Sequence, residues 1–221
     1  MSRADLVQQI TSISRHCSSW TALADKRLHF LMSYVKTTLE LEQKGYVAQG
    51  AAATTVVDLY VDADLAGDIS SARSTSGGIL RLTDVASGSH LVTDWWSKRQ
   101  TATARSTAAA EIVSMAVGID GYSLPTASLL ESVLERPIMT IVHEDNMAAL
   151  LVAKRGYSPA LRAAQKHFRV AISALGEVFA GPDHTIIHCP TLEQRADPMT
   201  KGLSAVAQQE AWALLDLYFT K

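Results

Sequence analysis

The residues with the most chemical promise are carboxylates at the ends of apolar strands. A run built from Val56, Val57, Leu59, Tyr60 and Val61 leads straight into Asp62, with Asp64 and Asp68 close behind. Three further acids fall at telling places: Glu111 in a helix-forming stretch, Asp145 directly after a second apolar run, and Asp197 ahead of the last helical segment. A carboxylate at the end of a buried strand is costly unless positive charge neutralises it. A pair of hard divalent cations supplies that charge and also makes a site for phosphodiester cleavage. Without such ions, converging acids repel one another and some take up protons. Strand alternation puts Asp62 and Asp64 on one face, so Asp64 is a secondary ligand candidate. Turn hydrogen bonding is the simpler account of Asp68.

These acids need a scaffold, and the hydrophobic pattern outlines one. Strands are expected over residues 54–63, 78–83 and 90–96, separated by short Gly- and Ser-containing stretches that fit antiparallel hairpins. Ser74-Thr75-Ser76-Gly77 reads as a turn before the second strand. A helix follows over 106–119 with Ser106 or Thr107 as N-cap, and Gly121 and Pro125 separate it from a second helical stretch, 126–134. Further on come a strand over 138–143, a helix over 146–154 stopped at Gly156, a helix opening near Pro159 and reaching about 180, a strand over 185–189 and a final helix over 206–218. This order predicts an α/β domain, a mixed five-stranded sheet with helices packed on it. Residues 1–50 read as a helical extension, with Trp20, Leu23, Ala24, Leu31, Tyr34 and Val35 at helical spacing and Ser18 or Ser19 as N-cap. The small residues from Gly50 to Ala53 mark a boundary, giving segments 1–50 and 51–221.

Composition narrows the class. With 48% hydrophobic and 19% charged residues over 221 positions, the chain suits a packed core, and its composition argues against disorder. Its apolar stretches stop short of a membrane span, and Met1–Asp5 lacks a charged-then-apolar leader pattern. Cys17 and Cys189 have no metal-binding spacing and fit a reduced, intracellular setting. The net charge of −2 does not announce a nucleic-acid binder, but its distribution does more. Residues 95–110 carry Lys98, Arg99 and Arg105 without an acid, and residues 146–176 carry Lys154, Arg155, Arg162, Lys166 and Arg169 without an acid. Solvated helix faces explain either stretch alone. Two of them flanking a carboxylate cluster favour a groove for a polyanion.

Ordered blocks along the chain resemble a known family. They are Val61–Asp68, Arg73–Gly77, Trp96–Gln100, Ser106–Glu111, Glu144-Asp145-Asn146, Lys166-His167 and Pro190–Lys201. Together they resemble the ribonuclease H domain of copia-type retrotransposon Pol polyproteins. Lys26–Leu31 is similar to the end of the reverse transcriptase region that precedes that domain. The resemblance implies a ribonuclease H-like sheet, three antiparallel strands followed by parallel ones. It also implies an endonuclease that hydrolyses the RNA strand of RNA–DNA hybrids with two Mg²⁺ ions, Mn²⁺ being an alternative. Asp62, Glu111, Asp145 and Asp197 take the positions of the metal-holding carboxylates. The implied partners are the hybrid and the reverse transcriptase portion of the same polyprotein, with no membrane and no small-molecule cofactor. The implied location is the cytoplasmic retrotransposon particle or the nucleus. Leu65 departs from the tryptophan that family members usually carry there, and Arg169 and Ala109 stand where acids are common.

Other residues have competing readings. The lysine–histidine block makes His167 a candidate for proton shuttling or product release, against a plain surface histidine. His143 and His188 sit in apolar strands and read as core or edge residues. Lys98 and Arg99, then Arg105 and Lys166, are candidates for phosphate contact. Ser74, Thr75 and Ser76 can offer hydroxyls and amides to phosphate or simply form a turn. Asn146 fits substrate contact or helix capping. Trp95 and Trp96 point to opposite faces, one into the core and the other towards a nucleic-acid groove. The competing functional classes are an inactive ribonuclease H-like remnant, acting as a structural or nucleic-acid-binding module, and an integrase-like strand transferase. In the latter the helix glutamate normally comes last, whereas here Glu111 precedes Asp145.

Overall fold

The structure, a computed structural model, describes residues 3–68, 71–161 and 170–220. Lys166 and His167, with Arg162 and Arg169, lie outside the described residues. The strands are β1 (Leu41–Gln43), β2 (Thr55–Asp68), β3 (Arg73–Asp84), β4 (His90–Arg99), β5 (Thr140–Glu144), β6 (His184–His188) and β7 (Leu217–Phe219). The helices are α1 (Val7–Ser14), α2 (Ala22–Thr37), α3 (Thr107–Gly118), α4 (Leu124–Leu134), α5 (Met147–Arg155), α6 (Ile172–Ala180), α7 (Asp197–Thr200) and α8 (Ala205–Leu214).

The main sheet has the order β4-β3-β2-β5-β6. β2, β3 and β4 form an antiparallel meander, while β5 pairs parallel to β2 and β6 parallel to β5. This is the mixed five-stranded sheet that the sequence predicts. β2 lies at its centre and is buried from Thr55 to Ala63, which is why its apolar run is nearly continuous and not alternating. Val57, Leu59 and Val61 point into one core with Leu80, Met115, Ile119, Val142 and Ile186. Tyr60 points into the other, with Ile79, Met199, Leu215 and Leu217. Trp96 stacks on Tyr122 in the first core, ring centroids 4.0 Å apart, and Trp95 packs against the second. Trp96 is thus the core member of the pair, while Trp95 keeps part of its surface exposed.

Three expectations change. Ser74–Gly77 is not a turn but the interior of β3, where Thr75–Gly77 pair with Asp62–Asp64 of β2 on one side and with Ser97–Arg99 of β4 on the other. Gly121 and Pro125 do not break the helix. A π-helical turn, Ile119–Ser123, carries α3 into α4, and Pro125 occupies the first turn, where its missing N–H is tolerated. The final helix ends at Leu214, because Asp216 turns the chain in a left-handed conformation (φ 54°) and accepts hydrogen bonds from Arg195 and His90. Beyond it β7 pairs antiparallel with β1, forming a small second sheet.

The N-terminal segment is two helices and a strand. α2 is capped by Thr21, which accepts from the Ala24 amide, and buries only Ala24 and Leu31. The Tyr34 hydroxyl donates to Asp5 at 2.6 Å and accepts from the Trp212 indole at 2.8 Å, tying this segment to α8. Among the described residues no helix is long and apolar enough to cross a membrane.

Candidate metal centre

Four elements deliver carboxylates to one end of the sheet. The parallel pairing of β2 and β5 ends at Tyr60 opposite His143, so Asp62 and Asp145, each two residues further on, emerge side by side. α3 starts at Ser106, whose hydroxyl accepts from the Ala109 amide, and brings Glu111 over the end of β2 in its second turn. The Ser114 hydroxyl donates to the carbonyls of Asp62 (2.7 Å) and Gly77 (3.2 Å), fixing the helix on both strands. Gln100 reinforces this by donating to Ser76 and to the Ala110 carbonyl, each at 2.9 Å.

Asp197 arrives on α7 from the opposite face. Gln194 is fully buried and donates to the Val61 carbonyl at 3.0 Å, pinning the loop before α7 to β2. Gly77 lets α7 lie directly on β3: a Cβ there would stand 2.6 Å from Met199 Cβ and 2.7 Å from Thr200 Cγ2. Gly78 does the same for the other face, where a Cβ would stand 2.1 Å from the Trp96 ring. The glycines are close-approach positions within a strand.

The result is two overlapping carboxylate sets. Asp62, Asp145 and Asp197 each bring an oxygen within 4.8 Å of the others, and so do Glu111, Glu144 and Asp145. Asp145 belongs to both. Asp62, Asp64, Glu111, Asp145, Asn146 and Lys201 line a cleft of about 350 Å³ beside them. Asp62 accepts a hydrogen bond from the Thr200 hydroxyl. Lys201 Nζ lies 2.6 Å from Asp197 and 3.9 Å from Asp62.

The electrostatics follow from this crowding. Burial pushes Asp62 up to about 7; Lys201 opposes the rise and Asp197 adds to it. Burial drives Glu111 far upwards, and the charges of Glu144, Asp62 and Asp145 drive it further. Burial also raises Glu144, with the Asn146 amide opposing and Asp145 adding. One oxygen each of Glu111 and Glu144 is buried without a hydrogen-bond partner. Buried acids left unneutralised in this way fit divalent cations, whose all-oxygen coordination this donor set supplies.

All four acids named from sequence thus meet in one place. Asp64 borders the cleft, and burial raises its carboxyl. Asn146 caps α5 by accepting from the Ala148 and Ala149 amides. Lys98 and Arg105 are exposed, whereas Arg99 pairs with Asp68 at 3.0 Å. Ser74, Thr75 and Ser76 are buried, and their hydroxyls accept from Ala66, Arg15 and Gln100 respectively, so phosphate contact through exposed hydroxyls is corrected. His143 is a core residue: it stacks on Tyr60 and bonds Asp58 at 2.7 Å. His188 lies exposed on the edge strand β6. Sequence reasoning missed Glu144 and Lys201. Alternation was the available signal for Glu144, since it shares a face with Val142 of the first core.

Comparison with known proteins gives consistent relatives. No family model matches the chain. It is 29% identical over 150 residues to the retrovirus-related Pol polyprotein from transposon RE2 of Arabidopsis thaliana, a match covering 68% of this chain. The corresponding polyprotein from transposon RE1 of the same plant matches to the same extent. The chain spans about 10% of the length of these relatives. Among solved structures it is similar to LC11-RNase H1 in complex with an RNA/DNA hybrid, with a TM-score of 0.45 and 14% identity over 65% of this chain and 93% of that one. It is also similar to the PFV RNase H domain, with a TM-score of 0.38 and 18% identity over 76% of this chain and 93% of that one.

Proposed function

We propose that the chain is a ribonuclease H-type endonuclease that cleaves the RNA strand of RNA–DNA hybrids as part of a retrotransposon Pol polyprotein. The observation that carries this reading is the convergence of Asp62, Glu111, Asp145 and Asp197 with buried, unpaired carboxylate oxygens beside an open cleft. The kinship with transposon Pol polyproteins supports the substrate class.

Asp62, Asp145 and Asp197 would hold one divalent ion, and Glu111 with Asp145 a second. Such a pair, when bound, activates water and stabilises the leaving oxygen of an in-line displacement. The rest is the protein's own contribution. Thr200 orients the Asp62 carboxylate by donating to it, and Gln194 and Ser114 hold the backbone on either side of it. Lys201 balances Asp197 and Asp62 and borders the cleft, placed to meet a phosphate. The exposed Lys98 and Arg105 supply backbone contacts outside the cleft. Recognition then rests on duplex shape and 2′-hydroxyls, independent of base sequence. The exposed apolar residues Trp20, Leu23, Phe30 and Met32 around α2 suit docking of the reverse transcriptase portion.

The test is cleavage of a labelled hybrid by the purified chain in Mg²⁺. Glu111→Gln is expected to lower the rate by about a hundredfold or more, since even partners of metal ligands are worth ~10–100-fold. Full activity in that variant refutes the assignment. Lys201 favours a second reading, an inactive nucleic-acid-binding remnant in which its ammonium stands in for a cation. Hybrid binding without cleavage at any divalent ion concentration selects that reading.

A further inference from the structure

We propose that Glu144 is an additional metal ligand, forming with Glu111 and Asp145 an inner cation subsite that shares Asp145 with the outer one. The proposal rests on the divalent-ion reading above and extends it to a residue outside the four acids. Glu144 ends β5 and is completely buried. One of its oxygens accepts from the Asn146 amide at 3.0 Å. The other has no partner, and neither does Glu111 Oε2. An oxygen from each of Glu144, Glu111 and Asp145 falls within 4.8 Å of the other two. Charged oxygens of this kind are retained in a protein interior when something positive completes them.

The chemistry of the pocket selects its ion. Mg²⁺ dehydrates reluctantly and keeps several waters, whereas a trio of carboxylates with two of its members buried asks an ion to shed part of its shell. Mn²⁺ lies at the weak-binding end of the transition series but suits carboxylate and water ligands. The inner subsite therefore favours Mn²⁺ over Mg²⁺, and Glu144 is the residue that sets this preference.

Mn²⁺ binding to the full chain, counted by the paramagnetic signal of the free ion, tests the assignment without reference to activity. The parent is expected to bind two ions. Glu144→Gln is expected to bind one, or to weaken the second by about tenfold or more. Asp62→Asn should weaken the outer ion instead. Glu144→Gln keeps the acceptor for the Asn146 amide, so its metal-free melting temperature should match or exceed the parent's. Should it not fold, Glu144→Ser gives the same reading. Unchanged stoichiometry and affinity in the Glu144 variant overturn the role of Glu144 while leaving the nuclease reading intact. A parent that binds no Mn²⁺ overturns both.

Discussion

Asp58 and Asp62 sit four residues apart on β2, on the same face and equally buried, yet their surroundings are opposite. Asp58 is fully partnered: Arg81 donates to it at 3.0 Å, Thr83 at 2.5 Å and His143 at 2.7 Å. Asp62 has a hydroxyl from Thr200 and a lysine 3.9 Å away, and it faces Asp145 and Asp197. In one region the protein supplies the charge that a buried carboxylate needs. In the other it gathers acids around a nearby lysine, Lys201. Burial alone does not distinguish a structural carboxylate from a functional one; the neighbours do.

The largest effect expected from this contrast concerns stability. Asp58→Asn strands Arg81 in the interior and should lose about 3–5 kcal/mol in denaturant unfolding. Asp62→Asn removes a poorly compensated charge and should leave the metal-free protein unchanged or slightly firmer. Equal losses in the two variants would break the comparison. Cleavage should reverse the ranking. Asp62→Asn should drop hybrid cleavage by about a hundredfold, or ~2.7 kcal/mol of barrier, while Asp58→Asn keeps the parent rate per folded molecule.

Divalent ions sharpen the contrast further. At a hundredfold excess over Kd, Mg²⁺ or Mn²⁺ should add about 2.7 kcal/mol of stability, a rise of roughly 5–10 °C in Tm for a chain of this size. Asp62→Asn should lose most of that rise and Asp58→Asn should keep it. Calorimetry with and without the ion reads both. The smallest effect is in pH. Burial pushes Asp58 up, but the hydrogen bonds from His143 and Thr83 and the charge of Arg81 outweigh it, and the group is held below its ordinary 3.8. An acid lowered by folding contributes stability that is complete above its unfolded value and is lost as pH falls through its folded value. The parent's advantage over Asp58→Asn should therefore be level at neutral pH and shrink below about 3.8. An advantage that stays level as the pH falls below 3.8 would break this reading.

The sheet was legible because its strands are long apolar runs separated by small residues, and β2 in particular declares itself. β1 and β7 were not, since three residues carry no period and their pairing joins opposite ends of the sequence. The metal-holding candidates were legible as acids following apolar runs. Glu144 escaped because it reads as the last residue of such a run, and only its alternation with Val142 turns it inward. Ser74–Gly77 looks like a turn because its residues are small. Gly77 and Gly78 are small for another reason, the need to admit a helix on one side and an indole on the other.

Gly77 therefore acts as a spacer of zero thickness. The distance from Asp197 to the rest of the cluster is set by the thinnest possible contact between α7 and β3, and a single methyl there works as a wedge under the helix. A residue with no functional group of its own thereby holds the aperture of the whole centre, and its substitution would disturb chemistry while touching none of the acids.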